Sequence, residues 1–478
     1  MPSIHVLVAL VALLLGREIG LLAPLPVSWA VIASLAAAAL PLGTALLVAA
    51  AMPLFRRQAD RAGSVGALRE GLRFAALARW LVVLPYAIWS IAGDAAGQVA
   101  AAIGDFVGLD EALAAAPPLA ALLVVAWAEH PLHARIREAM LVRQLDEGGL
   151  DDRPPTRAEW TATALRSMLA MPLMPVFLIV CWHEIVGRLA GWLPESAPEW
   201  SLIAADIAGT VAIVACAPAL IVRVLGTRPL GPGELRSRID ALQRRMHARV
   251  RAVRIWRTPA TNAAVLGLLP GVRYMLLTDA LVRSMPRGEL DAVIAHELAH
   301  VRHQHVLWIV LSIAAAAVVL GTAAGLIALG LSQAGVPLGL ADALLGIASI
   351  AGTILVFGFV SRRVERQADA TAAVALDRLH AEADEGVPVN AQDPIVGTGP
   401  ALMSAALGRV CALSGVPPAR WGFRHGSVRQ RQRNLARLVG ARPDRLPIDR
   451  TMRWIRVATL VAIGLGAIGG ALGVVHIA

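Results

Sequence analysis

Nine stretches of this chain are apolar for about as long as a bilayer is thick. A membrane-spanning helix needs roughly 20 such residues. Lipid offers no partner to a backbone N–H or C=O, so spans of this kind fold as helices. The stretches are 4–22, 27–55, 74–92, 113–128, 168–187, 202–224, 306–331, 339–360 and 454–476. The first is interrupted by Arg17 and Glu18, and it lacks the basic leader a signal peptide would carry. Arg56 and Arg57 stop the second, and Arg79 lies inside the third, near enough to an interface to snorkel. The fourth is short and contains Pro117 and Pro118. His183 and Glu184 end the fifth and read as interfacial polar residues, although ionisable groups at membrane depth warrant a functional hypothesis. Asp206 lies near the start of the sixth.

Composition agrees. The chain is 57% hydrophobic and 16% charged, with a mean hydropathy of +0.64; soluble domains carry about 25% charged residues. The net charge of +10 could point to nucleic acid. The basic residues flank the apolar runs instead of forming one stripe, so attraction to anionic lipid is the better reading and no nucleic-acid partner is expected. All of them are arginine. The three cysteines, Cys181, Cys216 and Cys411, have no metal-ligand spacing and form no disulfide framework.

Arginines cluster in 56–73, 135–166, 223–303 and 361–453, while 93–112, 188–200 and 332–338 are acidic or nearly uncharged. Nine alternating spans place every arginine-rich segment on one side, the cytoplasmic one by the positive-inside rule, with the N-terminus inside. The expected fold class is therefore mainly α: a polytopic membrane protein with about nine transmembrane helices and a cytoplasmic polar domain carrying a small β-hairpin or sheet. Three regions follow: a transmembrane region at 1–224, a domain at 225–453 interrupted by a transmembrane hairpin at 306–360, and a last helix at 454–478. The expected location is a bacterial inner membrane.

Within the polar block 225–305, residues 234–256 read as one amphipathic helix, with Leu235, Ile239, Leu242, Met246, Val250 and Val253 at helical spacing. Residues 261–269 and 272–278 read as strands around Pro270-Gly271. Pro286 opens the next helix, whose buried face is Leu290, Val293, Ile294, Leu298 and Val301. That helix carries His296, Glu297 and His300 as H-E-x-x-H. Positions i and i+4 share a face, so two imidazoles can grip one metal ion while Glu297 leans over the water it carries. His303 and His305 follow and read as interfacial polar residues; His130 and His133, separated by Pro131, read as a surface turn. In the second polar block, 381–400 reads as a loop.

Catalytic zinc takes three protein ligands and keeps one open position, and histidine, aspartate or glutamate could complete the set. Two spans joined by a short turn return the chain to the face it left. His300 lies about 9 Å before the seventh span and Glu365 about 7.5 Å after the eighth, at helical rise. The two thus arrive at similar depth. Asp369 shares the face of Glu365 and can hold a ligand histidine by its free ring nitrogen.

Ser361 to Asp369, S-R-R-V-E-R-Q-A-D, resembles the S-R-x-x-E-x-x-A-D segment of the membrane-integral gluzincin zinc metallopeptidases. That family includes the HtpX heat-shock protease and the H-E-x-x-H CAAX prenyl protease. Asn262, Ala263 and Gly267 resemble the family's substrate-binding strand, although Asn262 also suits a plain strand edge. His425 and Arg431 resemble its downstream His-Pro…Arg stretch, with Gly426 in place of the proline; an arginine-rich helix touching lipid headgroups is the alternative reading. The resemblance covers roughly 229–438. It implies one Zn2+ per chain on His296, His300 and Glu365, with Glu297 as general base and Asp369 orienting a ligand. It also implies a peptide added as a strand along 262–267, with His425 or Arg431 as oxyanion stabiliser. The implied partners are polypeptide substrates, membrane proteins among them, and the lipid bilayer. A signalling protease of the antibiotic-sensor type would need an extracytoplasmic domain, for which the loops are too short. A scaffold with a relict site fits poorly with a complete ligand set, and a transporter would show inverted repeats. Oligomeric state, substrate preference and prenyl recognition leave no mark in the sequence.

Overall fold

The structure is a computed structural model, and it describes residues 3–19, 27–62, 66–145, 155–192, 198–258, 260–336, 338–385, 390, 393–414 and 416–471. The chain forms two compact units, 1–226 and 227–478.

Among its described residues, the first unit consists of helices and short connections. It comprises α1 (Ser3–Ile19), α2 (Val27–Ala62), α3 (Gly66–Gly93), α4 (Ala95–Ile103) and α5 (Leu109–Leu145). Then α6 (Arg157–Met168) passes through a π-helical turn at Leu169–Leu173 into α7 (Met174–Ala190), and α8 (Glu199–Val224) follows. Val82, Leu122 and Leu132 are fully buried between α3 and α5, as are Val6 and Leu13 of α1. Helix α1 packs backbone to backbone: a Cβ on Gly16 would lie 1.8 Å from the Ser90 carbonyl oxygen.

Among the described residues, eight helices are long and apolar enough to cross a membrane: Ala39–Arg61, Gly66–Gly93, Leu109–Arg135, Arg157–Ala190, Trp200–Val224, His305–Gln333, Leu344–Glu382 and Pro443–Ile468. Each coincides with an expected span. The first expected span falls in the shorter class, at Ile4–Arg17. The stretch around 113–128, which its prolines put in doubt, lies inside a 37-residue helix holding Pro117, Pro118 and Pro131. Leu47 is 73% exposed, Leu355 67% and Leu465 64%. Leucines left that bare on spanning helices make a surface that suits lipid, not water.

The second unit wraps helices around a four-stranded sheet. Its elements are β1 (Arg228–Pro229), α9 (Glu234–Arg245), β2 (Ala252–Trp256), β3 (Ala263–Leu266), β4 (Tyr274–Thr278), α10 (Asp279–Ser284), α11 (Arg287–Arg302), α12 (His305–Gln333), α13 (Leu338–Glu385), α14 (Thr398–Ser414), α15 (Val428–Ala436) and α16 (Pro447–Ala471). Strand order is β1-β2-β4-β3; β2 and β4 are parallel, the other pairs antiparallel. Strand β3 therefore lies at an edge. Residues 234–256 do not form one helix. Helix α9 ends at Arg245, His247 turns left-handed at φ 49°, and 252–256 becomes a strand. The run Ala-Val-Arg-Ile-Trp is rich in β-branched and aromatic residues, and parallel pairing with β4 overrides the helical spacing of Val250 and Val253.

Met275 and Leu277 of β4, Ile239 and Leu242 of α9, and Ile294 and Leu298 of α11 form the core with Leu376 of α13 and Met403 of α14. Helix α13 has 48 residues, about 72 Å at 1.5 Å per residue. That is over twice the ~30 Å of a bilayer's hydrocarbon, so one continuous helix both spans and reaches into the polar domain. The expected loop at 381–400 is correspondingly shorter: α13 continues to Glu385 and α14 begins at Thr398, with 386–389 and 391–392 outside the described residues. Buried Asp377 pins the start of α14 by accepting the backbone N–H groups of Val396, Gly397 and Gly399.

Candidate metal centre and active site

Helix α11 is fixed before it presents any chemistry. Arg238 of α9 donates to Asp291 through Nε at 3.1 Å and to the Arg287 carbonyl through Nη2 at 2.7 Å. Leu290, Ile294, Leu298 and Val301 bury one face. One turn apart along this helix, His296 and His300 bring their Nε2 atoms to 3.1 Å. The α12–α13 hairpin carries Glu365 back to the same place: Oε2 lies 3.6 Å from His296 Nε2 and Oε1 lies 3.8 Å from His300 Nε2. Ligands on a tetrahedral zinc, at about 2.0–2.1 Å each, sit about 3.3–3.4 Å from one another. The three separations bracket that value, and two imidazoles with one carboxylate are a donor set that zinc favours. The residues fit the metal.

The surroundings hold this set in place. Asp369 Oδ1 lies 3.0 Å from His296 Nδ1. Arg431 of α15 donates to both Asp369 oxygens, at 2.7 and 2.6 Å, and its Nη1 lies 3.3 Å from Glu365 Oε2. His425 Nδ1 is 2.9 Å from Glu365 Oε1. It sits in a tight hairpin in which Gly422 and Gly426 exchange both backbone hydrogen bonds, at 3.0 and 2.8 Å. Gly426 has φ 69° and donates its N–H there. Proline can do neither, which explains glycine at the position where the resembling stretch has proline.

Charge follows geometry. Burial opposes protonation of His296, but hydrogen bonds to Asp369 and Glu365 outweigh it and hold the imidazolium up to about 10. For His300, burial and then the His296 charge act together and push it well below its ordinary value. Burial raises Glu297 to about 7, helped by Glu365 and opposed by His296, the Val265 backbone and Arg431. Burial would also lower Arg431, yet the Asp369 charge and hydrogen bond leave it raised. Glu297 thus lies beside β3 as well as beside the histidines.

Of the strand residues, Asn262 is exposed, and its backbone is tied to Thr278 on both sides, at 2.9 and 3.0 Å. Ala263 begins β3. Gly267 ends it at φ 107°, where a Cβ would lie 2.6 Å from the Val272 carbonyl oxygen, so only glycine fits. Among the described residues β3 pairs only with β4, which leaves its other edge open. His130 and His133 are spent elsewhere, on the Pro155 carbonyl and Glu129.

Sequence reading missed His305. Expected as an interfacial polar residue, it is fully buried, and its Nδ1 lies 3.0 Å from His300 Nδ1. The Nε2 of His303 meets the Thr371 hydroxyl at 3.0 Å.

The class these observations define is a multi-pass α-helical membrane protein that carries a small mixed-sheet domain with a metal-capable helix pair. Residues 231–435 match the sequence pattern of peptidase family M48, the same similarity that the motifs carry. The chain is 27% identical over 291 residues to a protease HtpX homolog of Desulfatibacillum aliphaticivorans, covering 59% of this chain and 90% of that one. It is 30% identical over 183 residues to a protease HtpX homolog of Acaryochloris marina, spanning 62% of that relative's length and 37% of its own. Among solved structures it is similar to S. mikatae Ste24p, with 16% identity, a TM-score of 0.41, and coverage of 86% of this chain and all of that one.

Proposed function

We propose that this protein is a zinc-dependent metalloendopeptidase of the membrane, which hydrolyses peptide bonds of proteins at the cytoplasmic face. One observation carries the reading: Glu297 interacts both with His296 and Glu365 of the ligand group and with the Val265 backbone of β3, a strand paired on one side only among the described residues. A catalytic carboxylate, a metal pocket and a place for an extended peptide therefore meet. His296, His300 and Glu365 would hold the ion, which when bound lowers a water's pKa to about 7 and polarises the scissile carbonyl. Asp369, itself gripped by Arg431, keeps the His296 ring turned so that Nε2 faces the pocket.

The substrate adds as a strand along 262–267, main chain to main chain. Glu297 takes a proton from the attacking water and passes it to the leaving amine. Its shift to about 7 suits both halves of that task. As oxyanion stabiliser His425 is the better candidate, since the Arg431 guanidinium is committed to Asp369 and Glu365.

The cytoplasmic assignment rests on charge. The eight long helices, taken as alternating crossings, keep 56–73, 135–166, 223–303 and 361–453 on one side. That outcome is independent of α1, which decides only where the N-terminus lies. The bacterial inner membrane and a part in membrane-protein quality control are proposed from the HtpX relatives. The test is Glu297→Gln, purified in nanodiscs. It should retain about one zinc per chain, lose cleavage of an unfolded polypeptide, and trap substrates in native membranes. Full cleavage by this variant sinks the mechanism.

A further inference from the structure

His296 has Asp369 to orient it; the partner of His300 is the residue the motif did not announce. His305 Nδ1 lies 3.0 Å from His300 Nδ1, with the two rings 81° apart. The other nitrogen of His305, Nε2, lies 3.0 Å from Gln367 Oε1, and Gln367 Nε2 donates to Asp449 Oδ1 at 2.6 Å. His305 is completely buried and Gln367 nearly so.

The chain of bonds has one direction. A carboxylate only accepts, so the Gln367 group facing Asp449 is its NH2, and the group facing His305 is its carbonyl oxygen. That oxygen also only accepts, so the proton of His305 is on Nε2. A neutral imidazole carries one N–H, which leaves Nδ1 of His305 bare and facing His300. The proton of His300 is then on Nδ1, and its Nε2 lone pair is left for the pocket shared with His296 and Glu365. Asp449 begins α16, Gln367 lies on α13 and His305 opens α12, so three elements close the relay behind one ligand.

The backbone is bent to make this possible. His305 is five residues beyond His300, and at 100° per residue an unbroken helix would put it about 140° around the axis. Gln304 breaks the helix instead, in the left-handed conformation at φ 54° and ψ 40°. A residue other than glycine rarely adopts that conformation, and strain of this kind gathers at functional sites. The junction is also bolted down: Arg456 Nη2 of α16 donates to the His303 carbonyl at 3.1 Å, and Ser312 of α12 meets Thr459 of α16 at 3.0 Å.

We propose that His305 is a positioning residue that accepts the Nδ1–H of His300, with Gln367 and Asp449 fixing its own tautomer, and that this relay sets how tightly the site holds its metal. The inference rests on the metal reading of the site.

The test compares wild type, His305→Phe, His305→Asn, Gln367→Leu and Gln304→Gly as full chains in nanodiscs. Zinc affinity is measured by competition with a chromogenic chelator, alongside thermal melting of the metal-free forms. His305→Phe should weaken zinc binding about 10- to 100-fold, the range for losing the partner of a ligand, with metal-free melting unchanged. His305→Asn, whose side-chain oxygen can still accept, should recover most of the affinity. Gln367→Leu should lose several-fold, and it tests the relay even if His305→Phe does not fold. Gln304→Gly takes the left-handed turn without strain and should bind zinc like wild type. Wild-type affinity in both His305→Phe and Gln367→Leu overturns the relay while leaving the zinc site standing. Equal losses in His305→Phe and His305→Asn, with lowered metal-free melting, reduce His305 to packing and overturn it too. Absence of zinc binding by wild type defeats the metal reading itself, a different result from either.

Discussion

Among the described residues, two groups of side chains are spaced to close around a cation: Asp105, Asp110 and Glu184 in the first unit, and His296, His300 and Glu365 in the second. Spacing alone does not separate them. The first already holds a cation, supplied by the chain. Arg17 reaches Glu184 at 2.8 Å, Asp110 at 3.5 Å and Asp105 at 3.8 Å, bonds Glu111 as well, and Arg188 takes Asp105 at 3.1 Å. In the second group two imidazole nitrogens point at one another across 3.1 Å. Its arginine, Arg431, grips Asp369 at 2.7 and 2.6 Å and flanks only one oxygen of the group, Glu365 Oε2, at 3.3 Å. Nitrogen lone pairs converging on one point need a proton or a metal between them; four carboxylates around a guanidinium already have a cation at their centre. Donor type and internal charge distinguish a metal site from an ion-pair cluster.

The largest expected effect breaks the comparison outright. His296→Ala or Glu365→Ala should lose the zinc and drop cleavage by at least about a thousandfold, because too few ligands remain. Asp110→Asn should leave zinc content unchanged. Elemental analysis after gel filtration checks both; zinc lost with Asp110→Asn would mean that the acidic cluster holds metal after all.

Glu297→Gln comes next. With the metal retained, removal of a general base costs about 100- to 10,000-fold in kcat. The same carboxylate sets a pH effect. Burial holds Glu297 up to about 7, and a bound cation would pull it lower. Cleavage should fall as pH drops through and below that point, and the acid limb should vanish from any residual Glu297→Gln activity. For stability the sign is reversed. An acid whose folded pKa is raised binds more protons folded than unfolded, so metal-free wild type loses stability as pH rises from about 4.5 to 7. Metal-free Glu297→Gln should therefore melt higher than wild type at pH 8 and not at pH 4.

A smaller loss, about 10- to 100-fold in zinc affinity, is expected for Asp369→Asn, the partner of His296. These two residues mark how far the sequence could be read. Helical spacing puts His296 and His300 on one face, and the apolar hairpin after them fixes where Glu365 and Asp369 return. Both inferences use only periodicity and length, so both were legible. The eight long helices were legible for the same reason. The β2 strand was not, because the pairing that makes 252–256 a strand lies in β4, 22 residues on. Nor was His305: its role depends on one left-handed residue, Gln304, that carries no glycine to advertise the turn. Likewise the Gly426 position reads as a defect in a motif until φ 69° shows why proline is excluded.

The smallest effect sharpens the comparison from the other side. Arg17→Gln removes the resident cation of the first cluster and leaves Asp110, Glu111 and Glu184 facing one another, with Asp110 and Glu111 buried. Buried carboxylates without a counter-charge are destabilising, so the melting temperature should drop by a few degrees while zinc content and cleavage stay near wild type. Asp105, Asp110 and Glu184 would then be an all-oxygen, net-negative group, the kind that suits magnesium or calcium and not zinc. Millimolar calcium should restore melting of Arg17→Gln and leave wild type unmoved. If calcium stabilises wild type equally, the guanidinium does not close the cluster, and the distinction between a filled group of acids and an open group of ligands fails at its weaker end.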